Sequence, residues 1–180
     1  MYFKSAVMFL LMFALFVMPS SCLAVSSGKP TVAVIPFSNQ SPRQGIVSES
    51  DINNVREDVE TDIVQTGKFR SLTRTEINRL LDEIKFDNSG LVDPSTAAKY
   101  GKMVGAQYLV LGTLTGLGTK KGNQYVAHLS LRMIEVETAE IFLAGRGTGQ
   151  SSDAYEALQK AANDALNGQR GMLTMLRGGK

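Results

Sequence analysis

Residues 107–136 read QYLVLGTLTGLGTKKGNQYVAHLSLRMIEV, and the fold turns on how this stretch is read. Its opening, 107–117, reads as a strand. Gly122 and Asn123 suit a hairpin turn. Beyond the turn, Tyr125, Ala127, Leu129, Leu131 and Met133 alternate with His128, Ser130 and Arg132. That period of two belongs to a strand with one face on a core. The apolar side then moves to Ile134 and Val136, which points to a bulge. Residues 137–140 turn the chain into a last strand over 141–144. Gly112, Gly116 and Gly118 mark bends or close backbone approaches in the first of these strands.

Upstream of the hairpin the period changes. Asp93 is placed to cap a helix with Pro94 at its first position, where the missing N–H is harmless, and Gly105 is placed to end it. Thr73 and Glu76 form a capping box for the helix before it, with Ile77, Leu80, Leu81 and Ile84 inward. Ile52, Val55, Val59 and Ile63 make a single helical stripe, which Ser50 or Asp51 can cap and Gly67 can end. A short strand over 69–72 follows that helix. The run TVAVIPF at 31–37 reads as a strand covered on both faces, followed by a loop over 38–45. Downstream, Asp153 and Glu156 open a helix that buries Leu158, Ala161, Ala162, Ala165 and Leu166 and ends at Gly168. The expected fold is α/β (α+β), a mixed sheet of four to five strands flanked by helices. Its order is β-α-β-α-α-β-β-β-α, and the first unit is a crossover between parallel strands.

The amino terminus reads as an export signal. Lys4 supplies a charge, residues 5–18 are almost wholly apolar and free of charge, and Pro19, Ser20 and Ser21 end the run. Fourteen apolar residues fall short of the roughly 20 that cross a bilayer as a helix. Two endings are open. Cys22 and Ala24 fit ordinary cleavage after Ala24, giving a chain free in the bacterial periplasm. Alternatively Cys22 becomes the first mature residue and carries lipid, which would hold the chain on the outer membrane. The lipoprotein pattern has an aliphatic residue three positions before the cysteine, where this chain has Pro19. The domain plan is thus a signal over 1–24 (or 1–21), a linker over 25–30, one domain over 31–168, and a tail over 169–180 to which no element is assigned.

Composition narrows the function. The signal holds one of the 19 basic residues, so the exported chain is close to neutral, against 17 acidic residues. That argues against a nucleic-acid protein, which carries a strong basic excess, and the absence of Trp removes one stacking platform for single strands. Cys22 is the only cysteine and His128 the only histidine, so no disulfide and no His-rich metal site can form within the chain.

Few residues carry a pattern that chemistry requires. Gly145, Arg146, Gly147, Thr148 and Gly149 lie between a strand and a helix, where backbone amides can cradle phosphate. Gln150 breaks the dinucleotide pattern, and Gly-Lys-Ser/Thr is missing, so a flexible connection is the expected role. His128 has no neighbouring nucleophile and reads as a solvated surface residue. Glu135, Glu137 and Glu140 flank a turn and read as a charged hairpin end. No catalytic, cofactor-binding or metal-binding residue is assigned, and no cofactor is expected.

The segment from 62 to 114, DIVQTGKFRSLTRTEINRLLDEIKFDNSGLVDPSTAAKYGKMVGAQYLVLGTL, resembles the central part of the CsgG superfamily. The superfamily includes a curli secretion channel subunit and LpoB, a lipoprotein activator of a penicillin-binding protein. The resemblance rests on Gly67-Lys68-Phe69, on Arg74 with Leu81 and Glu83, and on 88–94 (NSGLVDP). It also rests on Gly105-Ala106-Gln107-Tyr108 with Gly112, on VAVIPF, and on Glu137-Thr138-Ala139-Glu140. It covers about 31–166. It implies a periplasmic, non-catalytic α/β domain, commonly lipid-tethered, that binds a protein partner through the sheet edge or the helix faces. Both connections that could carry pore hairpins, 117–124 and 86–93, are short, which favours an LpoB-like adaptor over a channel subunit. A subunit of an oligomeric secretion complex without pore hairpins is the alternative, and a homo-oligomer is compatible with either. A ligand binder through Gly145–Gly149 is the third reading.

Overall fold

In the computed structural model the long hairpin forms the middle of the sheet. In chain order the elements are β1 (Thr31–Val34), β2 (Ser38–Asn39), α1 (Glu49–Gln65), β3 (Arg70–Ser71), α2 (Pro94–Val104), β4 (Tyr108–Lys120), β5 (Gln124–Glu135), β6 (Ile141–Ser151), α3 (Ala154–Asn167) and α4 (Met172–Gly178). The structure describes residues 28–43, 45–73, 75, 77, 93–120 and 124–178. The sheet runs β3-β1-β4-β5-β6, with β2 on β4. β1 is parallel to β3 and β4, β2 is parallel to β4, and β4-β5-β6 is antiparallel.

β1 is covered on both faces, as its unbroken apolar run implies. Val32 and Val34 join a core with α1, α3 and α4, whereas Ala33 and Ile35 join one with Ala97 of α2 and with Ile77. The strand is shorter than its apolar run because Pro36 offers no N–H to the ladder. The chain does not then become a plain loop. Ser38 and Asn39 rejoin β4 opposite Thr113 and Leu114, a strand the turn-rich composition of 38–45 conceals. The Phe37 side chain lies on Gly112, where a Cβ would sit 2.3 Å from the ring. That glycine is a close approach, as expected.

The stripe Ile52, Val55, Val59 and Ile63 is the buried side of α1. Its cap is Ser48, two residues earlier than Ser50 and three earlier than Asp51. The Ser48 hydroxyl accepts from the Asp51 N–H at 3.1 Å, and Asp51 accepts from the Ser48 N–H at 2.9 Å. Asp51 is therefore the third residue of a capping box, which Ser/Thr-x-x-Glu/Gln patterning alone does not reveal. Gly67, at φ +72°, ends the turn. α2 follows the expectation: Asp93 accepts from the N–H groups of Ser95 and Thr96 at 3.0 and 3.1 Å, and Gly105 at φ +71° closes the helix. The N–H of Ile77 bonds the Thr73 carbonyl at 3.2 Å, a helical turn where the capping box predicts one. Glu76, Leu80, Leu81, Ile84 and the hairpin pair Gly122 and Asn123 lie outside the described residues.

The bulge near Ile134 is present, but it sits in the partner strand. Met133 pairs with Leu143 and Ile134 with Ile141, so Phe142 is the extra residue. Simple alternation already turns Ile134 and Val136 to the other face, where α2 covers them. A second irregularity leaves Thr115 extra between Leu114 and Gly116.

The largest departure from expectation is β6, which runs over 141–151 rather than 141–144. The stretch 145–149 is therefore strand and not connection. Gly145, Gly147 and Gly149 alternate with exposed Arg146 and Thr148. A Cβ on Gly145, Gly147 or Gly149 would lie 2.1, 2.0 or 1.9 Å from the carbonyl oxygens of Ala165, Ala161 and Ala157. The glycines are there so that α3 can rest its backbone on the strand. α3 buries Leu158, Ala161, Ala162, Ala165 and Leu166, as its spacing predicts. The stretch to which no element was assigned contributes α4, whose Met172 and Leu173 are fully buried.

Two measurements check this packing. Gly147→Ala should lose about 1–3 kcal/mol of stability in urea unfolding, the usual cost of overpacking, because backbone must move to admit the methyl group. The hydrogen bonds to Asp93, first from Ser95 and then from Thr96, hold its carboxyl well below the ordinary 3.8. A carboxylate with a depressed folded pKa contributes stability that is complete above 3.8 and is lost as pH falls through the folded value. Unfolding midpoints of Asp93→Asn and of the parent chain should therefore differ near neutrality and converge as pH drops below about 4.

Candidate docking surface

Where the expected site residues fall settles what kind of site to look for. Cys22 and Ala24 lie outside the described residues. The stretch from Gly145 to Gly149 cannot cradle phosphate, because its inward side is filled by α3 and its backbone is extended in β6. The ligand-binding loop is thus corrected to a packed strand. His128 is exposed, and its Nδ1 lies 3.0 Å from the Thr148 hydroxyl, with no acidic partner among the described residues. Glu135 accepts from the Thr138 hydroxyl at 2.9 Å at the β5–β6 turn, and Glu137 and Glu140 are exposed beside it. Among the described residues, no group of three His, Cys, Asp or Glu side chains converges on a point that could hold a metal ion.

Buried charge is used for cohesion. Arg56 is 6% exposed on α1. Its guanidinium donates to the Val34 carbonyl at 3.3 Å, to Glu60 at 3.0 Å and to Glu57 at 3.1 Å. The Ser71 hydroxyl donates to the other oxygen of Glu60. One network thus ties α1 to the ends of β1 and β3, with its donors and acceptors matched as burial demands.

What remains is a surface. On the face of the sheet opposite α3, the second core reaches only Leu111 on β4 and Ile134 on β5. Beyond that line, His128 stands between Gly116 and Thr148, Ser130 between Thr113 and Arg146, and Arg132 between Leu111 and Ala144. His128, Arg146 and Thr148 are exposed, and Ser130 and Arg132 are half-buried. At the rim the Arg43 guanidinium donates to the Thr119 hydroxyl at 3.4 Å. The charged side chains at these registered positions are all basic, and a shallow depression of about 440 Å³ runs between Thr115, His128, Arg146 and Thr148. A flat, polar face with one sign of charge suits a protein partner better than a small ligand. The free edge of β6 is guarded, since Asp164 of α3 accepts from the Thr148 N–H at 2.9 Å. The sequence carried a signal for this face. In Gly-Arg-Gly-Thr-Gly-Gln small and polar residues alternate with a period of two, which marks a strand with a tightly packed inner face.

A family model described as peptidoglycan-synthase activator LpoB matches residues 14–148. Among solved structures, the C-terminal domain of LpoB from Salmonella enterica is 19% identical, and the match covers 71% of this chain and 87% of that one at a TM-score of 0.52. Lipoprotein GNA1162 from Neisseria meningitidis is 14% identical over 82% of this chain and 94% of that one, with a TM-score of 0.51. The PelC dodecamer from Paraburkholderia phytofirmans is 12% identical over 80% and 92%, with a TM-score of 0.50. At such identities the likeness is one of fold. No curated protein sequence matches.

Proposed function

We infer the role of this chain from one premise: it belongs to the LpoB family of peptidoglycan-synthase activators. It is an accessory of envelope assembly, an adaptor or regulator of a cell-wall machine. Its action is to bind a peptidoglycan synthase and raise the activity of that enzyme, without turning over substrate itself. The family match over 14–148 is the observation that carries this reading. The bare, basic face on β4–β6 is where the synthase docks, presenting an acidic strip. A place in the wider CsgG superfamily belongs to the same reading and rests on the motifs between 62 and 114.

The chain works outside the cytoplasm, held to a membrane by lipid on Cys22. This is supported by the charged start, the apolar run over 5–18 and the small residues around the only cysteine. Cleavage after Ala24 would instead start the mature chain at Val25. Intact mass of the mature protein separates the two, and we expect an amino terminus at Cys22 with added acyl mass.

Docking is checked by copurification with the peptidoglycan synthases of the same cell. The double variant Arg132→Glu and Arg146→Glu should fold as the parent chain does and bind the synthase at least about tenfold more weakly, because like charges then face each other. Parent binding should weaken with added salt. Undiminished binding by the double variant would move the docking surface elsewhere.

A further inference from the structure

The exposed apolar side chains of this protein are not scattered. Among the described residues the large ones are Val64, Met103, Ile141, Phe142 and Met175, between 37% and 58% exposed. The sheet register places them toward one end. Thr31 pairs with Arg70, Tyr108 with Val32 and Glu135, and Ile134 with Ile141, so these positions share a level. Val64 is in the last turn of α1, which leads to β3 at that level, and Met103 is in the last turn of α2, which leads to Tyr108. Met175 precedes Leu176, whose carbonyl accepts from the Lys68 ammonium at 2.7 Å.

The bulge gives this end its most exposed aromatic ring among the described residues. Phe142 is the extra residue of β6 and is 47% exposed. Its ring centroid is 5.1 Å from that of Tyr108, which in turn is 5.5 Å from that of Phe69. A row of three rings in edge-to-face and tilted contact therefore runs from the core to the surface. A bulge that turns an aromatic side chain outward is a placed feature, since bulges re-aim side chains. Lys29 and the pair Lys68 and Arg70 lie within two positions of Thr31 and Phe69, Lys102 is in the last turn of α2, and Arg177 is in α4. Glu135, Glu137 and Glu140 lie on the turn at the same end and Glu60 reaches Ser71 of β3, so cations and carboxylates are interleaved there.

This is also the end at which the chain enters the domain. Thr31 begins β1 there, and the carbonyl of Pro30 accepts from the Arg70 N–H at 3.0 Å. Five residues lie between Cys22 and Gly28, a reach of about 20 Å fully extended. β4 alone spans about 40 Å at its thirteen residues. A tether of that length brings the near end of the sheet to a bilayer surface far more readily than the far end, where Tyr125 pairs with Ser151.

We propose that the end of the sheet carrying Met103, Ile141 and Phe142 is a membrane-contacting surface that seats the domain on a phospholipid bilayer. The proposal rests on the lipid anchor at Cys22 inferred above. Apolar and aromatic tips enter the headgroup boundary, and Lys and Arg side chains at the same end meet anionic headgroups. The domain then stands upright, with the basic face of β4–β6 turned sideways and open to a partner.

The chain has no Trp, so a single introduced one reports on its own surroundings. The full chain, exported and processed, is bound to vesicles of phosphatidylethanolamine and phosphatidylglycerol containing brominated phosphatidylcholine. Phe142→Trp and Met103→Trp should each shift their emission to the blue and lose intensity to bromine, while Tyr125→Trp, at the far end, should do neither. An acylated chain that floats with vesicles while both near-end reporters keep water-like emission overturns the proposal and leaves the anchor standing. So does quenching of the Tyr125→Trp reporter to the same degree. A chain with no acyl mass on Cys22 that fails to float overturns both. A blue shift without vesicles that grows with protein concentration, and that bromine does not quench, assigns the surface to a second copy of the chain and overturns the proposal.

Discussion

The backbone of α3 lies directly on β6, and much else follows from that contact. It requires a strand face with no side chains, which Gly145, Gly147 and Gly149 provide. It lets Ala157, Ala161 and Ala165 serve as the helix side of the core, where larger residues would hold the layers apart. It brings Asp164 over the strand to occupy an edge N–H. It also sends the polar partners of the glycines, Arg146 and Thr148, to the opposite face. The bare basic surface and the packed core are thus two sides of one alternating sequence.

That alternation shows where sequence reasoning succeeds and where it stops. Elements whose signal is local were legible: the stripe of α1, the Asp93-Pro94 start and Gly105 end of α2, the two-residue period of β5, and the Asp153 cap of α3. Elements whose signal is a relation between distant segments were not. Gly-Arg-Gly-Thr-Gly reads locally as a flexible connection, because glycine disfavours strands until a helix backbone needs the space. β2 hides among Ser, Asn and Gln, since two residues of pairing to β4 leave no period. α4 follows a glycine-rich turn and is too short for a stripe, and it holds because Met172 and Leu173 complete a core built elsewhere. The basic face of β4–β6 was half legible. His128, Ser130 and Arg132 read as a solvated face of β5, but their joining with Arg146 and Thr148 depends on β6 extending past Ala144.

The same geometry shapes how an activator of this build works. No described helix is long and apolar enough to cross a membrane. With five residues between Cys22 and Gly28, lipid on Cys22 would keep the domain within about 20 Å of the bilayer that holds it. The described part of the fold is held by its core, one buried arginine network and closely packed backbones.

The central claim is that this chain raises the rate of an enzyme it binds. The most direct test measures glycan polymerisation by a purified peptidoglycan synthase from the same cell, with and without the exported full chain. The account predicts a rate that rises with added chain and saturates, and no polymerisation by the chain alone. A synthase rate unchanged at saturating chain, with binding confirmed in the same sample, would contradict it.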